Sequence, residues 1–534
     1  MFLLALGSFL LFAAALAVRS GHLAFPGLRT KSLPPGPPTL LFIGNMHQIP
    51  RTGIHLKLTE WAAKYGPLYS LKVGNGTTVV ISSPRYVRQL LDKLSVDFSY
   101  RPPLYILNDL VFHGNHSMLM SPGDRWRLRR KLFHQLLMEK RCEQEHIRLI
   151  EAESVQMLHD FVLDSNDCME KIPKRFSNSI IMSLVFGVRT PSRHSSHMKK
   201  LYDIMLELSK ISEIGATPPV DLLGVFKYIP EKLWGSWRTR AQNLSQMMTL
   251  LYGPLVEHVL QRRSTGRVKT SFLDEVLNQQ EKLQLRREEI NTMCGNLVEG
   301  GSDSVGSMML AFIQAMLAFP DVQKRAQEEL DAVVGESRMP TWADYAQLPY
   351  VAMIVKETMR WRPVVPGAFP HAAAKEHVID GMTIPKGATV LLNTWGLHHD
   401  PSVHPSPDTF DPMRYEDRTL LAPEYTNHEN RDHYGYGAGR RICPGLHLSE
   451  RAMFIGMARM LWAFTIAHKL DAQGSPIPVI TDARDGYEDG LLQCPRAFEA
   501  AVTPRSTARR DLIVSSMPEA EREVFSVYTE EVTV

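Results

Sequence analysis

Ten consecutive residues constrain this chain more than any other stretch: Tyr436-Gly437-Ala438-Gly439-Arg440-Arg441-Ile442-Cys443-Pro444-Gly445. Their glycines let the backbone come close to a bound group and turn where a side chain would forbid it. A helix starting after Gly445 would bring its positive N-terminal end beneath Cys443 and favour a thiolate. Arg441 carries a planar fork suited to a carboxylate. Gly435, Gly437 and Gly439 superficially suggest a dinucleotide loop. That motif follows a hydrophobic strand, whereas Asn430-Arg431-Asp432-His433 stands here.

The other cysteines, Cys142, Cys168, Cys294 and Cys494, are scattered and form no C-x-x-C pair. A disulfide framework, a structural zinc site and an iron–sulfur cluster are therefore not expected. The net charge of +3 and the lack of a dense basic run argue against nucleic acid.

Phe2 to Val18 is an uncharged run of 17 residues, about 25 Å as a helix and enough for a short membrane crossing. Arg19, Arg29 and Lys31 follow it and no basic residue precedes it, which leaves the body on the cytosolic side. Ala15-Leu16-Ala17 resembles a cleavage site, but a signal peptide's positive n-region is missing. We expect a transmembrane anchor over 1–18 and a basic, proline-rich hinge over 19–38, stiffened by Leu33-Pro34-Pro35-Gly36-Pro37-Pro38. One large catalytic domain is expected over 39–500, and a polar, disordered tail over 501–534. The domain reads as mainly α with a small β-sheet portion. Leu68–Val73 and Thr77–Ser82 suggest a hairpin, 122–360 is helical in period, and 284–318 reads as one long helix.

Further motifs precede the cysteine loop. Trp126 and Arg130 lie one helical turn apart. Gly300-Gly301-Ser302-Asp303-Ser304 interrupts a helical stretch, where glycine costs about 1 kcal/mol and suggests a close approach or a kink. Glu357 and Arg360 share a helix face at i and i+3. Pro370-His371 and Pro412-Met413-Arg414-Tyr415 follow.

Together these resemble the cytochrome P-450 superfamily in order and spacing, over roughly residues 2 to 500. The cysteine loop looks like F-x-x-G-x-R-x-C-x-G, with Tyr436 where Phe is usual. The resemblance implies a haem-thiolate fold behind the anchor, with haem b ligated by Cys443. Trp126, Arg130, His371 and Arg441 would bind its propionates. Asp303 and Ser304 would handle protons at the bound oxygen; most members carry Thr at the latter position. Glu357, Arg360 and Arg414 would form a buried supporting triad. It further implies a monooxygenase that hydroxylates or epoxidises with O2. NADPH-cytochrome P-450 reductase would supply electrons at the endoplasmic reticulum membrane. Arg129, Lys131 and Arg440 offer positive charge to that partner. A pocket of Tyr100–Ser121, the helix near Gly300, Val364–Phe369 and Gly490–Leu492 implies a small apolar substrate, with Phe112, Phe369, Leu491 and Leu492 as contacts. The cysteine loop resembles those of fungal secondary-metabolite enzymes. Sterol or fatty-acid hydroxylation, or a reductase-independent isomerase or dehydratase, are the alternatives.

Overall fold

A computed structural model describes residues 26–163, 171–221, 224–418, 420–425, 431–490, 492–529 and 532. The expected anchor, Cys168 and Leu491 lie outside these residues. The longer helices are α1 (Ile54–Tyr65), α2 (Asp124–Leu137), α3 (Ile147–Leu163), α4 (Lys171–Phe186), α5 (Ser196–Ser212) and α6 (Trp237–Ser264). They continue with α7 (Arg287–Ala318), α8 (Pro320–Val333), α9 (Pro349–Trp361), α10 (Leu446–Ala463) and α11 (Thr507–Glu523). The strands are β1 (Leu68–Val73), β2 (Gly76–Ile81), β3 (His371–Ala372), β4 (His377–Ile379) and β5 (Met382–Ile384). They end with β6 (Thr389–Leu392), β7 (Phe464–His468), β8 (Tyr487–Glu488), β9 (Cys494–Pro495) and β10 (Ala500–Pro504). The body is mainly helical with small sheets, as the periodicity suggests.

Local chemistry sets several boundaries. Pro320 and Pro349 occupy first helical positions, where the missing N–H costs nothing. The N–H of Arg286 donates to the Glu289 carboxylate at 3.1 Å and caps α7. The Gly74-Asn75 turn closes the β1–β2 hairpin, with Gly74 at φ +57°. β6 then joins β2 in parallel and carries β3 antiparallel on its other edge.

The longest helix, α7, runs through the main core, and Val305 to Leu317 is buried all round. Gly301 and Gly306 let α4 lie against it. A β-carbon on Gly301 would stand 2.7 Å from Ile181, and one on Gly306 would stand 3.0 Å from the Lys174 backbone. The glycine segment is therefore a close approach, and α7 stays α-helical through it.

The tail departs from expectation. β10 pairs with β7, and α11 packs on α3 with Ile513, Ala520 and Phe525 buried. The acidic cluster of Glu519, Glu521 and Glu523 is exposed, so its polarity concealed a sparse apolar face. The proline run is also docked on the body: Ser70 N–H donates to Pro35 O at 2.8 Å, and Arg29 donates to Pro34 O and Ser70.

Candidate active site

The cysteine loop is held from both sides. Gly439 sits at φ +60° and donates its N–H to the Asp92 carboxylate at 2.9 Å. Arg431 donates to Gly437 O at 2.9 Å, and Cys443 N–H donates to Tyr436 O at 2.9 Å. α10 begins at Leu446 with Gly445 as its N-cap, two residues beyond Cys443. Cys142, Cys294 and Cys494 are buried, whereas Cys443 as a residue is only half-buried. Burial pushes its thiol up, while the Gly445 amide and Arg130 pull it down. Among the described residues no group of three His, Cys, Asp or Glu side chains could hold a metal ion. Coordination to a metal would deprotonate the Cys443 thiol.

Around the loop stand three guanidiniums without a carboxylate partner among the described residues. Arg130 donates to Ile442 O at 2.7 Å. Arg441 donates to Ser99 O at 2.8 Å and to Met120 O. Arg101 donates to Met118 O at 2.7 Å and Phe369 O at 2.9 Å. Burial, then Arg101 and Arg130, pushes Arg441 down to about 8. Trp126 lies under the Arg441 guanidinium at 4.3 Å, and its buried indole N–H has no acceptor among the described residues. His371 sets Nδ1 on Phe98 O at 2.7 Å; burial and Arg101 drop it to about 3, leaving it neutral. Cations without carboxylate partners and an unpaired donor beside the Cys443 thiol fit a haem with two carboxylates. Cys443 would ligate its iron, and Trp126, Arg130 and Arg441 would meet its propionates.

On α7, the Ser304 hydroxyl donates to Gly300 O at 2.9 Å. Ser177 takes Gly301 O at 2.7 Å, and Tyr202 reaches Ser302 O at a long 3.5 Å. Three successive helical carbonyls thus accept side-chain hydrogen bonds. Asp303 pairs with Lys174 at 3.6 Å. A β-carbon on Gly300 would meet open space.

Support comes from the expected triad. Arg360 grips Glu357 through two bonds of 2.6 and 2.8 Å, both side chains fully buried. Arg414 stands 3.5 Å from Glu357, which also accepts the Asp411 N–H at 2.8 Å. Arg360 reaches on to His398 O at 2.9 Å, and His398 accepts the Tyr434 N–H at 2.7 Å. The triad so connects to the strand of chain that enters the cysteine loop.

Residues 34–480 match the cytochrome P-450 family. A cytochrome P-450 monooxygenase of Penicillium roqueforti, anuE, is 50% identical over 90% of this chain and 98% of its own length. The monooxygenase macC of Penicillium terrestre is 47% identical over 93% and 94% of the two chains. The monooxygenase patH of Aspergillus clavatus is 45% identical over 94% and 95%. The chain belongs to the cytochrome P-450 family.

In this cytochrome P-450 the structure brings Trp126, Arg130, His371, Arg441 and Cys443 around one centre, and Glu357, Arg360 and Arg414 into one cluster. Asp303 and Ser304 lie together on α7. Arg129 is a correction: it is buried, donates to Asn115 O and faces Glu289 at 3.5 Å, so it offers no charge to a partner. Lys131 and Arg440 are exposed. Of the segments expected to line the pocket, Val364 accepts the N–H of Gln493, the residue after the Gly490–Leu492 turn, at 2.8 Å. Motif reading missed Arg101 and Lys174. Each is an ordinary basic residue in sequence and gains meaning from partners far along the chain.

Proposed function

We propose that this cytochrome P-450 is a monooxygenase that inserts one atom of O2 into a small apolar organic substrate, by hydroxylation or epoxidation, in fungal secondary metabolism. The observation that carries this reading is the half-buried Cys443 beside three guanidiniums that lack carboxylate partners. Haem b is the form of haem favoured, because no C-x-x-C-H attachment motif is present and the cations suit two free propionates. Bound there, haem iron supplies oxygen activation, with the Cys443 thiolate favouring O–O cleavage.

The chain's own residues set the conditions. Trp126, Arg130 and Arg441 orient and neutralise the propionates. Ser304 holds a hydroxyl on α7 beside the open space at Gly300, where it could leave Gly300 O and pass a proton. Asp303, tied to Lys174, holds the acid end of that route. Phe112 and Leu492 supply apolar surface. The relatives are named monooxygenases from fungi, which supports the monooxygenase reading.

Electrons come from NADPH-cytochrome P-450 reductase, with the exposed Lys131 and Arg440 offering it positive charge. An endoplasmic reticulum location, single-pass with the catalytic domain cytosolic, is supported by the apolar run at 2–18. Exposed Leu40, Leu41, Phe42 and Ile43 support membrane contact beyond that run, as do Val225, Tyr228 and Leu233.

The test is a reduced, carbon-monoxide difference spectrum of the full chain and of Cys443→Ala. A thiolate-type Soret band in the parent and its absence in the variant is the expected result. A thiolate band in Cys443→Ala refutes the ligand assignment. With reductase added, substrate-dependent O2 consumption separates a monooxygenase from an isomerase.

A further inference from the structure

Gly295, one turn before the glycine segment of α7, has no room for a side chain. A β-carbon there would stand 2.6 Å from Cε2 of Tyr252 on α6. The Tyr252 ring therefore lies directly on the helix, and its hydroxyl reaches Glu299, one turn further along, at 2.8 Å. The second oxygen of Glu299 meets His116 Nε2 at 3.1 Å. His116 Nδ1 accepts the Met118 N–H at 3.3 Å, which leaves Nε2 as the protonated nitrogen that donates to Glu299. Glu299, His116 and Tyr252 are all buried. Glu299 immediately precedes Gly300.

His116 belongs to the loop over residues 112–123 that leads into α2, the distal loop, and the loop is fastened on two sides. On the α7 side, Ser117 N–H donates to Asn296 Oδ1 at 2.8 Å, next to the His116–Glu299 bond. On the other side, Arg101 and Arg441 hold the carbonyls of Met118, Ser117 and Met120. Phe112, an apolar residue of the proposed pocket, packs its ring 4.2 Å from the His116 ring. The loop is thus a strap between the guanidinium cluster and the helix that bears Asp303 and Ser304.

We propose that Glu299 is a positioning residue of this enzyme: by clasping His116 and Tyr252 it fixes the distal loop, and with it Phe112, over the oxygen-binding segment of α7. The inference rests on the haem-thiolate reading above. Two hydrogen bonds to one buried carboxylate hold three segments that are far apart in sequence. Losing either bond strands a buried polar atom, so the clasp closes as a unit. The clasp acts by geometry, and a neutral group of the same shape can replace the carboxylate. A glutamine can accept from His116 and donate to Tyr252, whereas a leucine fills the space and does neither.

The experiment is carbon-monoxide rebinding after flash photolysis of the reduced holoenzyme, with 4-phenylimidazole association to the ferric form as a second readout. Neither needs the substrate. His116→Leu and Tyr252→Phe should each speed both processes roughly fivefold, the population shift that follows loss of about one net hydrogen bond, and Glu299→Leu, which loses both bonds, should speed them further. Glu299→Gln should restore rates close to the parent's. Gly295→Ala, which displaces Tyr252 without touching Glu299, should act like Tyr252→Phe. A thiolate-type Soret band in the variants keeps the haem assignment intact while the clasp is judged. Absence of that band in the parent sinks the haem reading instead. Unchanged rates in Tyr252→Phe and His116→Leu overturn the clasp. Fast rates in Glu299→Gln overturn the hydrogen-bond account.

Discussion

Two glycines of the cysteine loop separate backbone strain from steric contact. Gly437 and Gly439 both have positive φ, +75° and +60°. Around Gly437 a β-carbon meets nothing within 4 Å, so Gly437→Ala costs only the left-handed backbone, about 1–2 kcal/mol. At Gly439 the added carbon would stand 2.8 Å from Leu91 C and closer still to its carbonyl oxygen. Relief needs the loop to retreat by about 1 Å, which strains the Gly439 N–H bond to Asp92. The other Asp92 oxygen already lacks a partner, so no alternative bond is in place. Losing a charged hydrogen bond adds about 1.5–3 kcal/mol, for a total near 3–5 kcal/mol. With about 2.1 cal/mol/K of unfolding entropy per residue, that lowers Tm by roughly 3–5 °C against 1–2 °C for Gly437→Ala. The assay is haem per protein and the reduced carbon-monoxide spectrum, beside a thermal melt. Gly437→Ala should keep haem and its thiolate band. Gly439→Ala should lose haem, because the displaced loop carries Cys443. Equal behaviour of the two variants refutes the contact argument.

Ser304→Ala should raise the share of electrons lost as peroxide while leaving the carbon-monoxide spectrum unchanged, because its recorded bond is local to α7; unchanged coupling refutes the role given to Ser304. Ending the chain after Arg505 should destabilise the enzyme by roughly 3–6 kcal/mol, from the lost burial of Ile513 and Phe525; calorimetry of the truncated holoenzyme checks this, and an unaltered melt contradicts it. Burial lowers His433 and His55 to about 4 each. Both stay neutral in the native state, whereas the unfolded chain takes up protons below about pH 6.5. Stability should therefore fall as pH drops from about 6.5 toward about 4, by about 1.4 kcal/mol per pH unit for each histidine. Urea melts at pH 7, 6 and 5 measure the slope, and a flat profile rules it out.

What the sequence discloses is what local spacing encodes. Trp126 with Arg130, Glu357 with Arg360, and Gly439 through Cys443 each act over one or two turns of chain, so residue type and interval suffice. Arg101, Lys174 and the His116–Glu299–Tyr252 clasp depend on partners in other elements, and no local pattern marks them. Arg129 shows the converse. It sits among basic residues that look solvated, yet Asn115 and Glu289 bury it. In α11, one buried residue per seven or so positions is too sparse a stripe to register against exposed acids. At Gly300-Gly301 the sequence allowed a kink or a close approach, and Ile181 selects the second.

The end of the chain also bears on when this protein can finish folding. Arg189 belongs to a buried charged cluster with Glu153 and Arg175. Its guanidinium lies 3.3 Å over the Phe525 ring, and its N–H donates to Thr529 O at 2.7 Å. Phe525 stands 336 residues after Arg189. At about 5–20 residues per second the ribosome reaches it roughly 20–70 s after Arg189. Until then the cluster has no lid, and the nascent chain carries an open, ion-rich seam for chaperones to guard. Completion of the core thus waits on a segment made long after the active-site motifs, and a chain cut short before Phe525 has every one of those motifs but an unsealed interior.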